Sequence, residues 1–140
     1  MPLWNIYHPV GAFAEQEKRE LADRITGVYE AAGLPRFYVV ALFHEVDRDS
    51  FYVGGEPADD AVRIEIDHIA RHSPDAAGRE SVRQRVSAVI APFAAGKGLR
   101  WEFHIDETPR DLWMINGSVP PPSGSDTEKL WARENRPVPY

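Results

Sequence analysis

The stretch Val62-Arg63-Ile64-Glu65-Ile66-Asp67-His68-Ile69 alternates between two kinds of side chain with a period of two. Val62, Ile64, Ile66 and His68 fall on one face, and Arg63, Glu65, Asp67 and Ile69 on the other. That is the pattern of a strand with one face on a core. Ser73-Pro74-Asp75 then reads as a helix start: Ser73 as N-cap, proline at the first helical position, and an acid after it. Val82, Val86, Val89, Ile90 and Phe93 recur at helical spacing, and Pro92 and Gly96 bracket the end. Leu99, Trp101, Phe103 and Ile105 alternate again over the next strand. A strand–helix–strand unit of this kind closes as a right-handed crossover between parallel strands.

The N-terminal half repeats the order. Leu3 to His8 is a strand carrying Trp4, Ile6 and Tyr7. Leu21, Ile25, Val28, Tyr29 and Ala32 form the apolar stripe of a helix, with Glu15 and Glu17 in its first turn, Gly33 as C-cap and Pro35 blocking continuation. Phe37 to Phe43 is continuously apolar and is expected to be a strand buried on both faces. Arg36-Phe37 echoes Arg100-Trp101, and Phe43-His44 echoes Phe103-His104, at an offset of about 60 residues that marks an internal duplication. The halves, about 2–55 and 61–112, predict an α/β (α+β) fold: a four-stranded mixed sheet with two helices on one face. Tyr52-Val53-Gly54-Gly55 is a turn-rich link between them. In the tail, 113–140, Val119-Pro120-Pro121-Pro122 is extended, and Ser125-Asp126-Thr127-Glu128 is a capping box opening a short helix that carries Leu130 and Trp131. The tail is expected to pack, on a neighbouring subunit if not on its own chain. Asp106-Glu107 with Arg110-Asp111 is expected to be a structural ion-pair corner.

Composition excludes whole classes. The chain has 140 residues, a length that fits one domain. It contains no cysteine, hence no disulfide framework, thiolate nucleophile or iron–sulfur site. A net charge of −6 disfavours nucleic acid and anionic membrane surfaces as partners. The apolar runs are far too short for a membrane span, and the N-terminus lacks the basic and apolar regions of a signal peptide. A cytoplasmic protein is expected. His68 and His72 are four apart but do not share a helix, so no metal is expected; no nucleotide motif occurs and no cofactor is implied.

Several motifs carry a family resemblance. They are Pro2-Leu3-Trp4, Ile6-Tyr7-His8-Pro9, Tyr52-Val53-Gly54-Gly55, Ile66-Asp67-His68-Ile69-Ala70-Arg71, Trp101-Glu102-Phe103-His104, Asp106 to Trp113, Pro120-Pro121-Pro122 and Glu134-Asn135-Arg136-Pro137. With these, the chain resembles the tautomerase superfamily over almost its whole length, closest to the homologues of cis-3-chloroacrylic acid dehalogenase. Periodicity alone leaves a ferredoxin-like sandwich and a tautomerase fold open; the resemblance implies the latter, as a homotrimer.

The resemblance also implies a site. Removal of Met1 would leave Pro2 with a free secondary amine, a general base or acid whose pKa burial and a nearby arginine would lower. Arg71 follows the third strand. If the first and third strands are antiparallel neighbours, it lies near Pro2, where it would grip a substrate carboxylate. His104, Tyr29 or Glu102 would polarise the carbonyl or stabilise an enolate, and Trp113 and Phe37 would exclude water. The dehalogenase pattern is incomplete here. Pro74 stands where a second arginine is found, Tyr29 where a histidine, His104 where a tyrosine, and Ile115 near the water-activating glutamate. The expected activity is therefore proton transfer on a small 2-oxo, enol or unsaturated carboxylic acid. The alternatives are a hydratase or dehalogenase of acetylenic or 3-haloacrylic acids, and a non-catalytic trimeric ligand-binding protein.

Overall fold

The computed structural model describes residues 1–140. The first unit comprises β1 (Pro2–Pro9), α1 (Glu15–Glu30) and β2 (Val40–Val46). A two-stranded hairpin follows, β3 (Tyr52–Val53) and β4 (Glu56–Pro57). Gly54 and Gly55 both have positive φ, as a type I′ turn requires. The second unit comprises β5 (Ala61–Ile69), α2 (Ala76–Ala94) and β6 (Arg100–Thr108), and α3 (Asp126–Glu134) lies in the tail. The sheet order is β2-β1-β5-β6. Strands are parallel within each unit and antiparallel where β1 meets β5. No helix is long and apolar enough to cross a membrane.

Register sorts the side chains. Trp4 sits opposite Ile66, Ile6 opposite Ile64, and Pro2 opposite His68. These residues are buried and face the helices, where Leu21 and Ile25 of α1 and Val86, Ile90 and Phe93 of α2 close the core. The other face is polar. Tyr7 stacks on His44, His44 Nε2 lies 2.9 Å from Asn5 Oδ1, and Arg63 donates to His104 Nδ1. Helix α1 ends in a Schellman motif. Leu34 N–H donates to the Tyr29 carbonyl (3.1 Å), Gly33 N–H to that of Glu30 (2.9 Å), and Gly33 has φ +84°.

Four expectations need correction. Phe37 and Tyr38 belong to a 3-10 turn (Arg36–Tyr38), so β2 begins only at Val40. As the edge strand it is half-exposed rather than buried on both faces. The apolar run reflects two separate burials: Phe37 and Tyr38 turn toward the tail, while Ala41 and Phe43 join the core. The N-cap of α2 is Asp75, whose carboxylate accepts from Gly78 N–H at 2.7 Å; Ser73 instead donates its N–H to Glu107. The capping box of α3 is half made. Ser125 Oγ accepts from Glu128 N–H (3.2 Å), but the Glu128 carboxylate is drawn away to Arg71 and Gly124 N–H. The acidic corner forms no internal ion pair, because Arg110 donates to the Pro120 carbonyl. The tail packs, as expected, and does so on its own chain. Trp131 is fully buried against Phe37 and Tyr38, and its Nε1–H donates to the Val138 carbonyl at 2.8 Å.

Trp131→Ala should therefore cost about 3–5 kcal/mol, the range for truncating a buried aromatic residue. Arg100→Ala, which removes an exposed pair with Asp60, should leave stability nearly unchanged, because solvent screens such a pair. Urea unfolding of the two variants checks the contrast.

Candidate active site

A cavity of about 200 Å³ opens where β1 begins and β5 ends. The antiparallel register places it there: Pro2 pairs with His68, and Met1 continues the ladder onto Ile69. Arg71 lies just beyond, after Ala70, which adopts a positive φ of 64° and turns the chain out of the sheet. Pro2, Tyr29 and Arg71 border this cavity together with His68, and Val28, Leu34, Val82 and Val86 form its apolar wall.

Tyr29 comes from the last turn of α1 and His68 from the apolar face of β5. Their side chains meet at 2.8 Å, Oη to Nε2. Trp4 Nε1–H donates to the same hydroxyl at 3.0 Å. Burial pushes the Tyr29 hydroxyl up to about 12, so it is a neutral O–H at physiological pH. With His68 protonated on Nε2, the Tyr29 oxygen accepts from both Trp4 and His68. Its own hydrogen is then available to the cavity, as an oxyanion donor needs.

The N-terminal amine lies in the same corner. Burial, then the positive charge of Arg71, lowers it from 8.0 to about 5, against an opposing pull from Glu128. With Met1 in place that amine is Met1's own, and it donates to the Ile69 carbonyl. Pro2 beside it is buried.

Arg71 is already engaged. Its Nη2 donates to both oxygens of Glu128 at 2.8 and 3.0 Å, and its Nη1 to the Ala70 carbonyl at 3.3 Å. Glu128 is only 3% exposed and also accepts from Gly124 N–H at 2.7 Å. The buried Tyr38 hydroxyl has no hydrogen-bond partner; burial, then the Glu128 charge, pushes its pKa up.

The remaining expected site residues lie elsewhere in the protomer. His104 and Glu102 project from the polar face of β6, on the other side of the sheet from Pro2 and His68, where Arg63 pairs with both. Trp113 packs edge-on against Tyr38, and Phe37 against Trp131, both in the aromatic seat of the tail. Neither borders the cavity. Sequence reasoning passed over His68 and Glu128. His68 had one signal, a polar residue at the end of an otherwise apolar strand face. Glu128 was indistinguishable from an ordinary capping residue.

Burial, chiefly, and the nearby N-terminal cation lower His68 from 6.5 to about 4. A base depressed on folding is neutral in the native state but binds a proton in the unfolded chain below 6.5. Stability is then full above 6.5 and falls as pH drops toward 4, by roughly 3 kcal/mol at most. His8 is lowered too, again mainly by burial, and acts in the same direction. His68→Gln should flatten the slope between pH 6.5 and 4 relative to wild type, with His8 present in both. Chemical unfolding at several pH values measures it.

The fold has counterparts. The family model described as "Putative oxalocrotonate tautomerase enzyme" matches residues 1–136. Native RhCC from Rhodococcus jostii RHA1 is 47% identical over 99% of both chains, with a TM-score of 0.95. A protein from the thermophilic fungus Aspergillus fumigatus is 41% identical over 100% of this chain and 98% of its own, also at 0.95. N1, a member of the cis-3-chloroacrylic acid dehalogenase family, is 20% identical over 94% of this chain and 96% of its own, at 0.73, a likeness of fold. No curated protein matches. A full-length family match, two relatives above 40% identity and a shared β-α-β sheet together show that the chain belongs to this oxalocrotonate tautomerase-like family of the tautomerase superfamily.

Proposed function

We propose that the protein is a cofactor-free tautomerase that moves a proton between carbon and enol oxygen on a small 2-oxo or enol carboxylic acid, with Pro2 as the base and acid. The convergence of Pro2, Tyr29 and Arg71 on one largely apolar cavity carries this reading. Once Met1 is removed, the Pro2 nitrogen is a secondary amine in a corner where burial and Arg71 both disfavour the cation. It is then free at neutral pH to take the enol O–H proton. The resulting prolinium delivers that proton to the adjacent carbon, so the enzyme returns to its starting state. Negative charge that develops on the enol oxygen in between is met by the Tyr29 hydroxyl, which Trp4 and His68 hold in place. The apolar walls limit competing water.

We also propose that the chain works as a homotrimer. The sheet leaves one face uncovered and β2 and β6 as open edges. His104 and Glu102 lie on that face, where a neighbouring subunit would cover them and where they could complete a neighbour's site.

Intact mass should show a chain starting at Pro2. Ketonisation of phenylenolpyruvate should then fall about 100-fold or more in Pro2→Ala, the scale of a lost general base. Equal rates overturn the reading. For wild type, kcat/KM should hold steady through neutral pH. It should fall on acidification as the Pro2 amine protonates, at a pH that burial and the Arg71 charge hold below that of a free terminal amine. A fall already complete at pH 7 contradicts the assignment of Pro2 as base.

A further inference from the structure

Arg85 borders the same cavity from α2, which it lines together with Pro2 and Tyr29. Its side chain makes one weak bond within its own helix, Nε–H to the Ser81 carbonyl at 3.4 Å, and no carboxylate of the chain pairs with it. Both Nη groups are uncommitted. Arg71 is in the opposite condition. The two forks by which a guanidinium grips a carboxylate, Nε with Nη2 and Nη1 with Nη2, share Nη2. In Arg71 that nitrogen already donates to both oxygens of Glu128, and Glu128 is buried and tied down by Gly124 N–H. A substrate carboxylate on Arg71 would share the guanidinium with the buried negative charge of Glu128, whereas no carboxylate stands beside Arg85.

We propose that Arg85 receives the carboxylate of the substrate, and that the Arg71–Glu128 pair is a fixed internal dipole that orients Arg71 beside the Pro2 amine. Charge balance agrees. Arg71 and Glu128 cancel, so the cavity presents one net guanidinium, from Arg85, and apolar walls from Val28, Ala32, Leu34, Val82 and Val86. That environment fits a monocarboxylic acid with an apolar body and disfavours a dicarboxylate, whose second charge would have no free partner. Arg85 also acts on the hydroxyl and imidazole the mechanism uses. Its charge is among the influences that lower the pKa of Tyr29 and of His68. The position three residues after Arg71 holds Pro74 rather than a second arginine. Arg85 brings a second guanidinium to the cavity from a different element.

The substrate assignment rests on the tautomerase reading, but carboxylate binding can be measured without turnover. Calorimetric titration of cinnamate and of the uncharged isostere cinnamamide into wild type, Arg85→Ala, Arg85→Lys and Arg71→Lys provides the test. Wild type should prefer cinnamate by about tenfold to a hundredfold, the worth of a charge-assisted hydrogen bond. Arg85→Ala should abolish the preference without weakening cinnamamide, Arg85→Lys should keep part of it, and Arg71→Lys should leave it within about threefold. Arg85 is exposed on α2, so its replacement should leave the melting temperature unchanged. A preference that survives Arg85→Ala, or that disappears in Arg71→Lys, overturns the proposal, as does a wild type that does not distinguish the two probes. Phenylenolpyruvate ketonisation by wild type is read in parallel. An inactive wild type sinks the tautomerase reading, while the titrations still decide where the carboxylate binds.

Discussion

The antiparallel pairing of β1 with β5 joins the two halves of the duplication, and everything at the site follows from its register. Because Pro2 lies opposite His68, the beginning of the chain is anchored beside the end of a strand more than sixty residues away. A one-residue slip would turn Trp4, Ile6, Ile64 and Ile66 out of the core and Arg63 and Glu65 into it. The hydrophobic core therefore enforces the same register that brings the N-terminus, Tyr29, His68 and Arg71 to one cavity. Stability and site geometry have a common cause.

The tail plays a second structural part. Trp131, buried against Phe37 and Tyr38, seats α3 on the first unit. That seating carries Glu128 to Arg71, with its carboxylate diverted from the capping box. The ion pair is buried on the Glu128 side, so its net worth to stability is small compared with the cost of removing one partner. Its effect on the site is electrostatic. Arg71 pushes the Met1 amine toward its neutral form and Glu128 opposes it, so the position of the tail helix bears on the charge of an amine in that corner. Tyr29 ties the site back to the core through Trp4, so the hydroxyl that faces the cavity is held by a residue whose ring the core has already fixed.

Much of this was legible in the residues. Alternation in Val62–Ile69, the helical stripes and the Gly33 stop are local patterns. Each follows from backbone periodicity and the special freedom of glycine, so strand–helix–strand order and the duplication could be read directly. The motifs around Pro2 and Arg71 pointed to the family and to one end of the sheet. Where reading failed, two physical demands competed for one segment. The apolar run Phe37–Phe43 served both a turn and an edge strand, and Ser73 lost the N-cap of α2 to Asp75.

What residue order could not decide is which side chains share a space. Trp113 and Phe37 lie in the tail's aromatic seat, and His104 and Glu102 lie across the sheet from the cavity; nothing in their local sequence distinguishes these placements. Glu128 reads as a capping residue until α3 docks, and Arg85 reads as a solvated surface residue until α2 packs over β5. Local patterns determine elements because they depend on neighbours three or four residues away. Charge pairing depends on distances in space, and those exist only after the sheet register and the tail have brought distant segments together.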